Sequence, residues 1–153
     1  MMGGGNQQMQ QLQQELQELE EQKEQLEAEV EELQSEKSDI DDAIEAIQTL
    51  DTGSVVQVPL GGGAYVRANV EDIDEVVVEL GGGYAAERDQ EGAVESMETR
   101  KESVDERIDD IKSDISDVED ESNELEQEAR QMQQQQMQQQ MQQMQQQEED
   151  ESE

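Results

Sequence analysis

Between Val58 and Val70 the sequence reads VPLGGGAYVRANV, and between Val76 and Glu87 it reads VVVELGGGYAAE. Each stretch carries strand-forming residues, then a glycine triplet, then a tyrosine. Glycine tolerates the positive φ angles of tight turns, so each stretch predicts a β-hairpin. The polar connector Glu71–Glu75 separates the two hairpins.

The predicted strands are too few to form a stable sheet within one chain. A lone two-stranded hairpin is marginal in water, and four short strands leave exposed edges that invite pairing. The simplest solution is that several chains bring their hairpins together and close a barrel. The residues that we expect to assemble subunits are Val56, Val58, Leu60, Tyr65, Val66, Val76, Val78, Leu80 and Tyr84.

The segment before the hairpins has the heptad repeat of a coiled coil, with core positions a and d spaced alternately by three and four residues. Lysine replaces an aliphatic residue at two of the a positions. The a positions hold Met9, Leu16, Lys23, Val30, Lys37 and Ile44, and the d positions hold Leu12, Leu19, Leu26, Leu33, Ile40 and Ile47.

The segment after the hairpins repeats this pattern without a slip until Met132, after which the remaining methionines are out of phase. The a positions hold Val94, Lys101, Ile108, Ile115, Ser122 and Ala129, and the d positions hold Met97, Val104, Ile111, Val118, Leu125 and Met132.

The two heptad runs match each other in an antiparallel pairing. When paired residue numbers add to 141, every a residue meets a d residue, and both runs end together at Met9 and Met132. The core lysines then bury their stems and extend their ammonium groups outward, which defines the register at some cost in stability. The alternative is a parallel oligomer of each helix.

We therefore predict a mainly α fold with a small β region. It is a long antiparallel coiled-coil hairpin with two β-hairpins between the helices, whose strands join an oligomeric β-barrel. The predicted parts are a flexible N-terminus (1–5), helix 1 (6–50), the assembly region (51–88), helix 2 (89–132) and a Gln/Met-rich acidic tail (133–153).

The charge of the chain excludes several kinds of partner. Its net charge of −34, from 43 acidic and 9 basic residues, disfavours nucleic acid and anionic membranes. The acidity indicates either adaptation to high salt, where like charges are screened, or a polyanion with basic partners. With no apolar leader or membrane-spanning stretch, we expect a cytoplasmic protein.

The residues offer little for catalysis or cofactor binding. The chain has no Cys and no His, so thiolate sites, disulfides and the commonest general base are excluded. The glycine triplets lack the following helix and lysine of a phosphate loop. The acidic clusters lack the spacing of a calcium loop. We therefore expect no enzyme activity, no cofactor and no specific metal site.

The ends of the helices are rich in glutamine and methionine. Methionine suits surfaces that accept varied apolar shapes, so these ends are candidates for binding apolar groups of other proteins. A disordered, idle tail is the alternative for the segment beyond residue 132. The predicted contact residues are Met9, Leu12, Met132, Met137, Met141 and Met144.

The order helix, two hairpins, helix resembles the alpha subunits of archaeal prefoldins, and the acidity resembles halophile versions. The similarity is most specific from Val55 to Met97, including AVESM at the start of helix 2. The resemblance implies a hexamer of two alpha and four beta subunits. It also implies that coiled-coil tips bind non-native proteins without ATP and deliver them to a group II chaperonin. A structural oligomeriser or adaptor without client binding is the alternative function.

Overall fold

The computed structural model describes residues 3–152 and contains two long helices separated by four short strands. In chain order the elements are α1 (Gly3–Thr49), β1 (Val55–Gly61), β2 (Ala64–Asn69), β3 (Val76–Gly81), β4 (Tyr84–Arg88) and α2 (Gln90–Glu151). This is the predicted fold class, two helices with two antiparallel hairpins between them. In the single chain each hairpin is a separate two-stranded sheet and no barrel closes.

The helices bury the faces that the heptads predict. Every a and d residue from Met9 to Ile47 and from Val94 to Met132 is buried or half-buried. Beyond Met132 every described residue is exposed, so the seam ends where the heptad rhythm ends. The apolar core includes Leu19, Val30, Ile40, Val104, Ile108, Ile111 and Val118.

The chain divides into two compact units, and the same helix pairing is found in each. One unit contains the described residues up to Glu29 and those from Ile111, and the other contains Val30–Asp110. In the first, Nζ of Lys23 lies 3.2 Å from Oε1 of Glu119. The residue numbers of this pair add to 142, as expected for a core lysine that reaches the residue next to its facing d position.

The second unit repeats this arrangement at both of its core lysines. Nζ of Lys37 lies 2.7 Å from Oδ1 of Asp105, and Nζ of Lys101 lies 2.6 Å from Oδ1 of Asp41. The predicted antiparallel register is therefore confirmed within each unit. The lysine side chains are about one third exposed, with their ammonium groups directed outward to carboxylates.

The hairpins have turns that only glycine adopts easily. The strands β1 and β2 pair antiparallel from Val55 opposite Asn69 to Gly61 opposite Ala64, with a bulge near Leu60. The two residues of the turn, Gly62 and Gly63, have φ values of 59° and 83°. Positive φ at both central residues is what the type I′ hairpin turn requires, and the second hairpin repeats the geometry.

Gln90, the first residue of α2, ties the end of α1 to the start of α2. Its side-chain Nε2 donates to the carbonyl oxygens of Ile47 (2.8 Å) and Leu50 (3.1 Å), at the C-terminal end of α1. Just before it, Asp89 caps α2 by accepting a hydrogen bond from the backbone N–H of Gly92 at 2.7 Å. These bonds satisfy backbone groups that helix ends leave free, and they fix where the strand region joins the helices.

Both helices are longer than the predicted heptad segments. Residues 1 and 2 of the predicted flexible N-terminus lie outside the described residues, and from Gly3 onward the chain is already helical. At the other end, α2 continues without interruption through the Gln/Met-rich segment to Glu151. Glutamine and methionine are good helix formers, so this segment can remain helical without a seam.

Candidate functional site

The hairpins expose most of the apolar side chains that we predicted to assemble subunits. Tyr84 is 76% exposed, Leu60 67% and Tyr65 62%. Such large apolar groups stay in water only at an energetic cost, and contiguous exposed apolar groups mark interaction surfaces. Among the other predicted residues, the exposed ones are Val58, Val66 and Leu80, and the half-buried ones are Val56 and Val76.

Val78 differs from the other residues of this set. Its side chain is only 4% exposed, because the face of β3 that carries it packs within the chain itself. Ala86, directly opposite on β4, is half-buried on the same face. Val78 therefore belongs to the core of its own subunit and has little surface left for a neighbour.

The structure adds two exposed valines that the sequence analysis missed. Val55 is 62% exposed and Val77 65% exposed. In β1, Val55 alternates with Val56 and Val58, so it lies on the opposite face of its hairpin. The first hairpin is thus apolar on both faces. The signal was present in the unbroken β-branched pairs Val55–Val56 and Val76–Val77, which favour strands open to packing on both sides.

The first hairpin carries no acidic residue. From Ser54 to Val70 the only charged side chain is Arg67, although the whole chain carries 43 acidic residues. Bringing two such hairpins together would desolvate no carboxylate. We define the candidate assembly surface as the exposed strand residues Val55, Val58, Leu60, Tyr65, Val66, Val77, Leu80 and Tyr84.

The six methionine and leucine residues predicted to contact clients fall into two groups. Met9, Leu12 and Met132 are half-buried at seam positions of the helix pair. Met137, Met141 and Met144 are 69–70% exposed on α2. The first group contributes to holding the helices together, whereas the second makes no apolar contact that would bury it.

The start of α1 and the segment of α2 beyond the seam are still adjacent at one point. Nε2 of Gln136 lies 2.7 Å from where a Cβ atom on Gly5 would stand. These residue numbers add to 141, so the core register continues here with a glycine and a glutamine in place of apolar residues. By the same register Gly3 lies opposite residue 138, and the last 13 residues of α2, from 139 to 151, extend past the first described residue of α1.

The exposed methionines lie in an uncharged part of an otherwise acidic helix. Residues 131–147 consist entirely of glutamine and methionine. Three methionines at helical spacing on this polar, uncharged segment present polarizable, flexible apolar groups. Within the part of the chain that the structure describes, no group of three or more acidic residues is placed to hold a metal ion. Neither described helix has an apolar stretch that could cross a membrane.

The arrangement of two long helices and two hairpins matches that of a known protein family. The family model described as "Prefoldin: Prefoldin subunit" matches residues 19–135, which include most of both helices and both hairpins. A solved structure with the same arrangement is the filamentous PFD from Methanocaldococcus jannaschii, determined by cryo-EM. It superimposes with a TM-score of 0.65 at 25% identity and covers 73% of this chain and 95% of that chain.

Similar curated proteins include several from salt-loving archaea. Prefoldin subunit alpha of Halorubrum lacusprofundi is 60% identical over 101 residues, 66% of each chain. Prefoldin subunit alpha of Haloarcula marismortui is 74% identical over 53 residues, and that of Natronomonas pharaonis is 78% identical over 49 residues. These two alignments span 34% and 32% of the relatives' own lengths, about a third of each.

Proposed function

Because the chain belongs to the prefoldin family of chaperone subunits, we propose that it acts as an alpha subunit that holds non-native proteins without ATP. In this proposal two copies join four beta subunits in a hexamer. The ends of the helix pairs bind client chains in the cytoplasm and deliver them to a group II chaperonin. No nucleic acid, membrane, cofactor or catalytic step takes part.

Assembly through the hairpins is supported by the candidate assembly surface. Its apolar side chains are exposed on two separate two-stranded sheets whose edge strands have free hydrogen-bonding groups. Pairing these edges with strands of other subunits would satisfy the backbone and bury the apolar groups at once. The near absence of charge in the first hairpin lowers the desolvation cost of this contact.

Client holding rests on a single observation, the exposure of Met137, Met141 and Met144 on α2 beyond the end of the apolar seam. A soluble helix ordinarily buries its apolar side chains, so three exposed methionines at one end need an external partner to be covered. Unfolded chains expose apolar groups of varied shape, which flexible methionines can accommodate. Several such ends in one hexamer would bind one client more tightly than a single end does. Once one end is bound, the others meet the same client at a high effective concentration.

The proposed function is tested by aggregation of a denatured client protein in high KCl, with the chain co-expressed with its beta partner. We expect the wild-type complex to suppress aggregation. Truncation after Arg130, and the substitutions Met137→Gln, Met141→Gln and Met144→Gln combined, should both reduce suppression severalfold. The triple variant keeps the length and charge of α2, so it separates loss of methionine from loss of the segment.

Two outcomes would contradict the proposal. A wild-type complex that leaves aggregation unchanged would favour the structural adaptor. Full suppression of aggregation by both altered complexes would show that the end of α2 is not needed for client holding. Circular dichroism and the mass of each complex verify that the variants fold and assemble as the wild type does.

A further inference from the structure

The methionine stripe continues into two carboxylates on the same face of α2. Met137, Met141 and Met144 are spaced by four and three residues, and Glu148 and Glu151 continue that spacing. At 3.6 residues per turn the five side chains fall within about 80° of one another around the helix. They span roughly 21 Å along its axis. We define these five residues as the outer face.

The outer face is directed away from the seam and is open to solvent. The seam of α2 uses heptad positions a and d, and these five residues occupy positions b and f. All five are exposed, the methionines to 69–70%. Among the described residues no ion pair involves Glu148 or Glu151. The face therefore combines an apolar centre with free negative charge at its C-terminal end.

The composition of this face selects among possible occupants. A bound segment must cover the methionines with apolar side chains. Acidic residues beside that segment would be repelled by Glu148 and Glu151, whereas lysine and arginine suit both parts of the face. Their aliphatic stems pack on apolar groups, while their charged ends form charge-assisted hydrogen bonds with carboxylates.

We propose that the outer face binds apolar segments of non-native chains that are directly followed by lysine or arginine. This inference rests on the proposed client-holding function and adds the chemical class of segment that is preferred. The apolar residues lie on Met137, Met141 and Met144, and the basic residues reach Glu148 and Glu151. A second copy of this chain is a poorer occupant, because each copy has a net charge of −34.

Two fluorescent peptides that share one leucine-rich core test this preference by fluorescence anisotropy. One ends in three lysines and the other in three glutamates. The assembled complex is used at the lowest KCl concentration that leaves its helical circular dichroism unchanged. We expect the lysine peptide to bind roughly fivefold more tightly, the size expected for two exposed charge pairs. In about 3 M KCl this preference should disappear because the charges are screened.

A matched pair of variants distinguishes the effect of the two outer-face carboxylates from the effect of the net charge at this helix end. Glu148→Gln with Glu151→Gln should lower the preference to about twofold or less. Glu149→Gln with Asp150→Asn removes the same charge from the same helix end, but these residues point more than about 100° away from the centre of the outer face. This control should keep most of the preference, and Met137→Gln, Met141→Gln and Met144→Gln together should weaken both peptides equally.

Several results would overturn this inference. Equal binding of the two peptides by a complex that still holds denatured client would reject the inference alone, and equal effects of the two charge variants would do the same. A complex that holds no denatured client would reject the proposed function as well. Light scattering could also show that complexes associate with one another and that the three methionine substitutions abolish this association. Together with no peptide preference, that result would assign the face to a second copy instead.

Discussion

Three lysines in the seam occupy positions where aliphatic residues are usual. Each of Lys23, Lys37 and Lys101 reaches a carboxylate on the opposite helix, so the ammonium group stays solvated while the stem packs. A lysine at a seam position costs stability, but it defines the register, because a slip of the helices would separate each lysine from its carboxylate. These residues thus specify one antiparallel pairing among several that the leucines alone would allow.

Two of these lysines make stability depend on pH in the alkaline range. The hydrogen bond to Glu119 is the main cause that raises the pKa of Lys23 above 10.5, and the hydrogen bond to Asp41 does the same for Lys101. A pKa higher in the folded than in the unfolded chain adds stability that is complete below pH 10.5 and is lost as pH rises through the folded pKa. We expect the melting temperature to fall across this range.

Thermal melts followed by circular dichroism between about pH 8 and about pH 11.5 measure this effect. The variant with Lys23→Met and Lys101→Met is the control, and it should lose part of the alkaline decrease. An identical decrease in the wild type and this variant would show that the two ion pairs contribute nothing to it.

The seam should be most sensitive to substitution at Ile111. This side chain is fully buried, with 0% exposure. Ile111→Ala removes buried methyl groups and leaves a cavity, so we expect a loss of about 3 kcal/mol in the free energy of unfolding. Ile115→Ala, at a half-buried seam position four residues later, should cost about half as much. Denaturant unfolding in high salt measures both, and equal costs would contradict the burial difference.

At the scale of elements, the hairpins depend on backbone geometry more than on side-chain contacts. The glycines of both turns have positive φ, and nothing lies within 4 Å of a Cβ placed on Gly62 or Gly63. Space is therefore available for a side chain there, and the demand for glycine comes from the left-handed backbone alone. Correct turns position the exposed valines, leucines and tyrosines that the proposed assembly uses.

The turn at Gly62 provides a test of that backbone demand. Gly62→Ala places a Cβ at a φ of 59° and should destabilise the hairpin by about 1 kcal/mol. Asparagine tolerates this conformation better than alanine, so Gly62→Asn should cost less. The measurement is the fraction of chain in the assembled complex after dilution, by mass photometry. An alanine variant that assembles as well as the asparagine variant would argue against backbone strain.

The elements also show what could be predicted from the sequence and what could not. The heptads predicted the seam correctly from Met9 to Met132, because only one face of each helix meets a partner. The glycine triplets placed both turns. The continuation of α2 to Glu151 was not predictable from apolar periodicity. A glutamine-rich helix without a partner buries no face, so its sequence shows no repeating apolar pattern.

The candidate site was predictable only in part. The sequence indicated the methionines as a group. Their division into half-buried seam residues and exposed outer-face residues depends on α2 remaining helical beyond residue 132, because the helix then turns the later methionines away from the seam. The burial of Val78 depends on which face of the second hairpin packs within the chain, and strand alternation alone does not decide this.

At the scale of the whole molecule, the dominant feature is a net charge of −34. Among the residues that the structure describes, no charged side chain is buried. The few ion pairs neutralise only a small part of the 43 carboxylates. Mutual repulsion therefore opposes folding unless salt screens it, and several similar proteins come from salt-loving archaea.

Lowering KCl from about 3 M to about 0.1 M should therefore loosen the helix pair, because the screening length grows from under about 3 Å to about 10 Å. We expect weaker helical circular dichroism and a melting temperature at least about 10 °C lower, equivalent to a few kcal/mol. Replacing the exposed Glu124, Glu126 and Glu128 with glutamine should recover part of the loss in dilute salt while changing little in 3 M KCl, since only unscreened repulsion is relieved. Constant helicity and melting temperature across this range would show that contacts in the seam outweigh the repulsion without any help from salt.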